Sequence, residues 1–269
     1  MKAQTLNVQV LGVGLLGPGL PDWAQGAALL LQGYAPAPTV VPAPQRLPAT
    51  ERRRAGTVVK ASIVVADQAV AAAGLPAAQL PTVFTSSTGD PSNCHLLCEA
   101  LAQPQRLVSP TRFTNSVHNA AAGYWHIALH SRAPSTSLAA FDASFCAGLL
   151  EAAVQCLAAQ TPVLLVACDV PYPEPLHRLR PVADVFALAL VLGPPGADTV
   201  GPLLALGSVA GVDECAATVC ADAALEALRQ GIPAARALPL LQALAQGAPA
   251  HVLLQGAPGQ MLTVQLHGT

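Results

Sequence analysis

The sequence predicts an α/β fold, a mixed sheet covered by helices, on three observations. Short β-rich runs alternate with segments of helical period from one end to the other. One run, Pro162–Val170 (PVLLVACDV), is apolar throughout, as a strand buried on both faces requires. Of the 269 residues, 52% are hydrophobic and 10% charged. That charge content is well under the roughly 25% of an average soluble domain, so much of the chain must be buried in a core or against a partner.

In chain order, Thr5–Gly12 (TLNVQVLG) reads as a first strand ending in a glycine turn at Gly12–Gly14, followed by an amphipathic helix over Pro21–Leu31. Residues 35–50, rich in Pro and Ala, read as an exposed connection. Arg52–Arg54 lead into a helix over Thr57–Ala73, with Val59, Ile63, Val64 and Val70 at helical spacing and Gly74 and Pro76 as its stop. Thr82–Ser87 is β-rich. Cys94–Ala102 and Asn115–Leu129 read as helices, and Thr136–Phe141 as a short strand. Asp142–Ala159 is a periodic helix that puts Phe145, Cys146, Leu149, Leu150, Ala153, Val154 and Leu157 on one face. After the apolar strand come strands at Val185–Leu192 and Leu203–Val209, helices at Ala217–Leu228 and Ala234–Ala245, and short strands at His251–Leu254 and Met261–Leu266.

Composition excludes several classes. A net charge of −2 argues against nucleic acid binding. Lys2 and Lys60 are the only lysines, so there is no polybasic membrane patch. No stretch reaches the roughly 18 uninterrupted apolar residues of a membrane span. A buried strand explains the apolar N-terminus better than a signal peptide does. The seven cysteines are odd in number and mostly in apolar context, which fits reduced thiols in the cytoplasm. Cys94 and Cys98 have no second His or Cys pair, so no zinc site is indicated, and no cofactor is expected. Thr85–Asp90 (TSSTGD) lacks the lysine of a phosphate loop and reads as a strand-end turn. Gly12-Val13-Gly14 is only a fragment of a dinucleotide fingerprint. No nucleophile elbow of the Gly-x-Ser-x-Gly type is present.

The segment Val108–Leu129 (VSPTRFTNSVHNAAAGYWHIAL) resembles the β-ketoacyl synthases of the thiolase superfamily. Their Ser-Pro and Asn-x-x-Ala-Gly patterns are here Ser109-Pro110 and Asn119 to Gly123. Ala133 to Leu138 (APSTSL) is similar to their Gly-Pro-Ser-x-x-Ile approach to the nucleophile, Val10–Gly19 to their opening glycine turn, and Arg52–Asp67 to the basic start of a long helix. The similarity covers roughly residues 5–210. It implies a thiolase-like layered fold with a mixed five-stranded sheet. The second thiolase repeat would be missing or strongly reduced, because residues 210–269 are too few to hold it. The FTNSVHNAAAGYW run resembles more narrowly the short ketosynthase-like proteins of aryl polyene and xanthomonadin-type pigment pathways, which implies a chain length factor.

In active members of that family a cysteine stands at the turn into the helix after the short strand. Counting from Pro134-Ser135, that place falls on Asp142. A helix N-terminus there stabilises a thiolate. An aspartate can act as a base or aid decarboxylation, or simply cap the helix, but it cannot form a thioester. Cys146, one turn on, is either a displaced nucleophile or a buried structural thiol. The catalytic histidines belong to the missing half, and His267-Gly268-Thr269 spells one of their motifs only at the last tripeptide. By the same resemblance Asn115, His118, Asn119 and the strand ending at Phe141 belong to a dimer interface. Tyr124 and Trp125 are candidates for packing against the partner. His118 and His126 are two turns apart.

Three readings follow. The first is a non-catalytic subunit that pairs with a full-length β-ketoacyl synthase, meets its acyl carrier protein, and self-associates when alone. The second is a condensing or decarboxylating acyltransferase working through Asp142 or Cys146. The third is a scaffold for a carrier protein.

Overall fold

A computed structural model describes residues 5–196, 201–210 and 216–268. The strands are β1 (Leu6–Leu16), β2 (Thr82–Thr85), β3 (Ser135–Leu138), β4 (Val163–Asp169), β5 (Phe186–Gly193), β6 (Leu203–Ala210), β7 (Ala250–Gln255) and β8 (Gln260–His267). They form one mixed sheet in the order β3-β2-β4-β5-β1-β6-β8-β7. β2 runs parallel to β3 and β4, and every other pairing is antiparallel. The α/β class and mixed sheet agree with the sequence, and the late strands read at Leu203–Val209, His251–Leu254 and Met261–Leu266 are β6, β7 and β8. They continue the sheet beyond β1, so it has eight strands rather than the five that the resemblance implies.

The helices are α1 (Trp23–Leu31), α2 (Ala49–Arg54), α3 (Thr57–Ala73), α4 (Pro91–Ala102), α5 (Pro110–Thr114), α6 (Ala120–Leu129), α7 (Ser144–Ala159), α8 (Ala223–Gly231) and α9 (Leu238–Gln246). Two cores result, one on each face of the sheet, because successive strand residues point to opposite sides. Val163, Leu165 and Ala167 of β4, with Phe186, Leu188 and Leu190 of β5, meet α7 and the turn Pro233–Ala237, in one core with α9, which packs on β7 and β8. Leu164, Val166 and Cys168, with Ala187, Ala189 and Val191, meet α3, in one core with α6, which packs on α3 and β2. Both strands are wholly buried.

The glycine turn expected at Gly12–Gly14 does not exist. β1 continues through it to Leu16, with a register shift between Val10 and Gly12. A Cβ on Gly14 would collide with the carbonyl group of Val65, and one on Gly12 would lie 2.9 Å from Ala73 N and 3.1 Å from the Ala69 carbonyl carbon. These glycines let α3 lie directly on the β1 backbone.

The helix expected over Asn115–Leu129 begins only at Ala120, as α6; residues 115–119 are a turn that follows the short helix α5. The face expected on α7 is also partly wrong: Phe145, Cys146, Leu149, Ala152, Ala153 and Cys156 are buried, but Leu150 and Val154 are exposed. Phe141–Ala159 is the one helical stretch among the described residues long and apolar enough to cross a membrane, and half of its most apolar window is buried within the chain. Its residues Phe145, Leu149 and Ala153 belong to the core on the sheet. The expected helix over Ala217–Leu228 begins only at Ala223, where Asp222 caps it through the amides of Ala224 and Leu225. Cys215 and Thr269 lie outside the described residues.

Candidate functional site

The turn from β3 into α7 is built by a single side chain. The Ser144 hydroxyl accepts from Ala140 N at 2.9 Å and donates to Phe141 O at 2.6 Å. The Thr85 hydroxyl donates to Ser144 O at 2.8 Å and ties the turn to β2. Within this staple Phe141 sits at φ +52°. A bulky residue in the left-handed region is strained and is held there only by its surroundings.

Asp142 follows. Its Oδ1 accepts from Arg180 Nη2 at 2.6 Å and its Oδ2 from Arg236 Nη2 at 3.1 Å. The Arg180 guanidinium also lies 3.7 Å from the centroid of the Phe141 ring, a cation–π contact. The turn is therefore closed by a run of contacts from Arg236 to Asp142 to Arg180 to Phe141. The helix-cap reading of Asp142 is corrected: Ala143 is the N-cap of α7 and no side chain caps it. As a base Asp142 would give up its charge beside two guanidiniums.

Cys146, the other candidate, is enclosed. It is buried, and its Sγ donates to Gln255 O at 3.0 Å. Burial pushes the thiol up to about 12, with Arg236 pulling weakly the other way. At neutral pH it is a protonated structural thiol, and the thiolate that attacks a thioester is absent.

The site also contains a group that the sequence reading missed. Asp169 ends β4, almost fully buried. Its Oδ1 accepts from Ser87 N at 2.8 Å, Ser87 Oγ at 2.7 Å and Ser86 Oγ at 3.3 Å, and its Oδ2 from Ala234 N at 2.9 Å. Burial raises its pKa, and these four donors oppose the rise. The carboxyl joins the ends of β2 and β4 to the turn Pro233–Ala237, and that turn carries Arg236 to Asp142. The one signal in the sequence was a charged residue near the end of an otherwise apolar strand. The same bonds explain TSSTGD: its serine hydroxyls serve Asp169.

The residues expected at an interface divide. Phe141 is 62% exposed, and His118 and Asn119 are exposed. Asn115 is buried, with Nδ2 donating to Arg54 O at 3.0 Å and Oδ1 accepting from Tyr124 OH at 3.1 Å. Tyr124 and Trp125 are corrected: both lie in the chain's own core, Trp125 with no exposed surface, so as placed neither ring faces outward. His118 and His126 share no site. His118 lies against Gly89, and His126 Nε2 is 3.3 Å from Thr82 Oγ1.

A cavity of about 660 Å³ opens between the α2–α3 junction and helices α4 and α5. Arg53, Arg54 and Arg112 line it, with Asp90, Asn93 and Asn115. Asn115 fixes the carbonyl of Arg54, and Asn93 Nδ2 fixes that of Arg112 at 2.9 Å, so two buried amides hold the arginine-bearing segments in place. Among the described residues no group of three or more His, Cys, Asp and Glu side chains could hold a metal.

The family model for the β-ketoacyl synthase N-terminal domain matches residues 22–206. No curated protein matches the chain. Among solved structures, the ketosynthase ApeO in complex with its chain length factor ApeC from Xenorhabdus doucetiae matches with TM-score 0.73 and 22% identity, over 97% of this chain and 99% of that one. The ishigamide ketosynthase/chain length factor matches with TM-score 0.71 and 15% identity, over 97% and 99%. A type II polyketide ketosynthase complex with its acyl carrier protein, AntDE:AntF, matches with TM-score 0.74 and 13% identity, over 99% and 100%. These likenesses show a common fold.

Proposed function

The chain belongs to the family of β-ketoacyl synthase N-terminal domains and has their thiolase-like fold, and on that footing we propose that it is a non-catalytic, chain-length-factor-like subunit of an active 3-oxoacyl-[acyl-carrier-protein] synthase. The observation that carries this reading is the closed turn. Asp142, at the place the resemblance gives to the nucleophile, is held by two guanidiniums, and the thiol one helical turn on is buried and protonated at neutral pH.

The partner would be a full-length ketosynthase, as in the ApeO–ApeC and ishigamide pairs. Edge strand β3 and the exposed Phe113, Val117, Ile127 and Phe141 supply unpaired backbone and apolar surface for such an association. In the chain alone the same surface supports a homodimer. The cavity lined by Arg53, Arg54 and Arg112 suits an acidic carrier protein or its phosphate-bearing arm. The resemblance of residues 113–125 supports a pathway of the aryl polyene type, a polyketide or fatty-acid-like biosynthesis. The described cysteines are all free, which is compatible with work in the cytoplasm. On this reading the region from residue 210 onward is a reduced remnant of the second thiolase repeat within one domain.

The chemistry is tested by intact-protein mass spectrometry after incubation with acyl carrier protein or coenzyme A thioesters. No acyl adduct is expected. A stable adduct mapped to Cys146 overturns the non-catalytic reading in favour of an acyltransferase.

A further inference from the structure

Beside the turn lies a cavity of about 210 Å³ whose charged lining is Asp142, Arg180 and Arg236. One water needs roughly 10–15 Å³ on this measure, so there is room for a molecule of several heavy atoms. Two guanidiniums face one carboxylate, which leaves the lining with one net positive charge. Both arginines are held firmly, their side chains 19% and 13% exposed.

Each guanidinium gives Asp142 one N–H, and each carries five. Arg180 Nε is buried and has no acceptor among the described residues. Native proteins seldom leave such a donor unmade, and an ion or a water supplies the acceptor. The rest of the wall is Leu179, Pro181, Val182, Gly231 and Pro233 with one polar side chain, Gln230, whose amide nitrogen donates to Glu226 Oε1 at 2.7 Å.

The geometry points to a site for a small aliphatic carboxylate, its carboxyl group paired with Arg180 and Arg236 and its chain against the apolar wall. A planar guanidinium pairs with a carboxylate through two parallel hydrogen bonds, and a monoanion balances the single surplus charge. Asp142 is the internal competitor for the same donors. This site stands whether or not the chain serves a ketosynthase.

The test is calorimetric titration of the full chain at fixed ionic strength with sodium butyrate, butyramide and inorganic phosphate. Butyrate should bind in the range of about 1 mM, the weak end of the affinity scale. Butyramide, equal in shape and uncharged, should not bind, and phosphate should bind more weakly than butyrate. Arg180→Lys, which keeps the charge and loses the planar fork, should weaken butyrate about tenfold. Asp142→Asn, which removes the competitor, should tighten it about tenfold. If Asp142→Asn does not fold, the wild-type comparison and Arg180→Lys decide. The assignment is overturned if butyrate fails to bind, if butyramide or phosphate binds as tightly, or if Arg180→Lys keeps wild-type affinity.

Discussion

Replacing Gly14 by alanine should unseat helix α3 from the sheet. The added Cβ would fall against the carbonyl group of Val65, 2.8 Å from its carbon and 3.1 Å from Cα. The obstruction is helix backbone, so no side-chain tip can swing aside. Either α3 moves outward along nearly its whole contact with β1, or the strand bows away. Overpacking of this kind costs about 1–3 kcal/mol, and a rigid neighbour puts Gly14→Ala near about 3 kcal/mol. For a chain of this size each kcal/mol moves the melting temperature by about 2–4 °C, so a fall of about 6–12 °C is expected. Gly123→Ala is the matched control. Nothing lies within 4 Å of its Cβ and it sits inside α6, so alanine should gain about 0.5–1 kcal/mol from helix propensity. Thermal unfolding of the isolated chain by circular dichroism reads both. If Gly14→Ala melts within about 1 °C of the wild type, α3 does not rest on β1 at this glycine, and the two-core description fails there.

Two further outcomes follow from the side-chain environments. Glu226 accepts from Arg229 Nε at 2.7 Å and Nη2 at 2.6 Å, and these bonds above all hold its carboxyl at about 2 rather than 4.5. A carboxyl depressed in the folded state stabilises the fold above its unfolded value, so this contribution drains away as the pH falls from about 4.5 toward 2. The melting temperature of Glu226→Gln should therefore lie below wild type at neutral pH, by the equivalent of about 1 kcal/mol. The two should converge in acid, and a constant gap would refute the pairing. Alkylation of the native protein at neutral pH should mark Cys94 and Cys98, which are exposed, before the buried Cys146, Cys156, Cys168 and Cys220. Peptide mapping that finds Cys146 labelled first would contradict its placement under Gln255.

What was legible in the sequence was what local pattern determines. The apolar run Pro162–Val170 contains β4, and Thr57–Ala73 is α3 to the residue, because a strand buried on both faces and a helix stopped by Gly74 declare themselves along the chain. Gly12 and Gly14 misled, since a glycine that opens a turn and one that admits a helix backbone look alike until the helix is in place. Asn115 was read as a helix start, yet its amide bonds to Arg54, 61 residues away, and α6 begins only at Ala120. Asp142 could be singled out by counting from Pro134-Ser135. Its partners could not, because Arg180 and Arg236 lie 38 and 94 residues further on and are brought together by the sheet and by Asp169. Tyr124 and Trp125 show the limit of composition: aromatic residues suit an interface and a core equally, and only the packing of α6 against α3 decides between them.

The central claim, that this chain works as the partner of a ketosynthase, is tested most directly by size-exclusion chromatography with light scattering, on the chain alone and co-expressed with its cognate ketosynthase. One peak at the mass of a one-to-one heterodimer is expected for the pair, weakened by Phe141→Glu, and a self-associated species for the chain alone. A chain that elutes as a monomer in both experiments contradicts it.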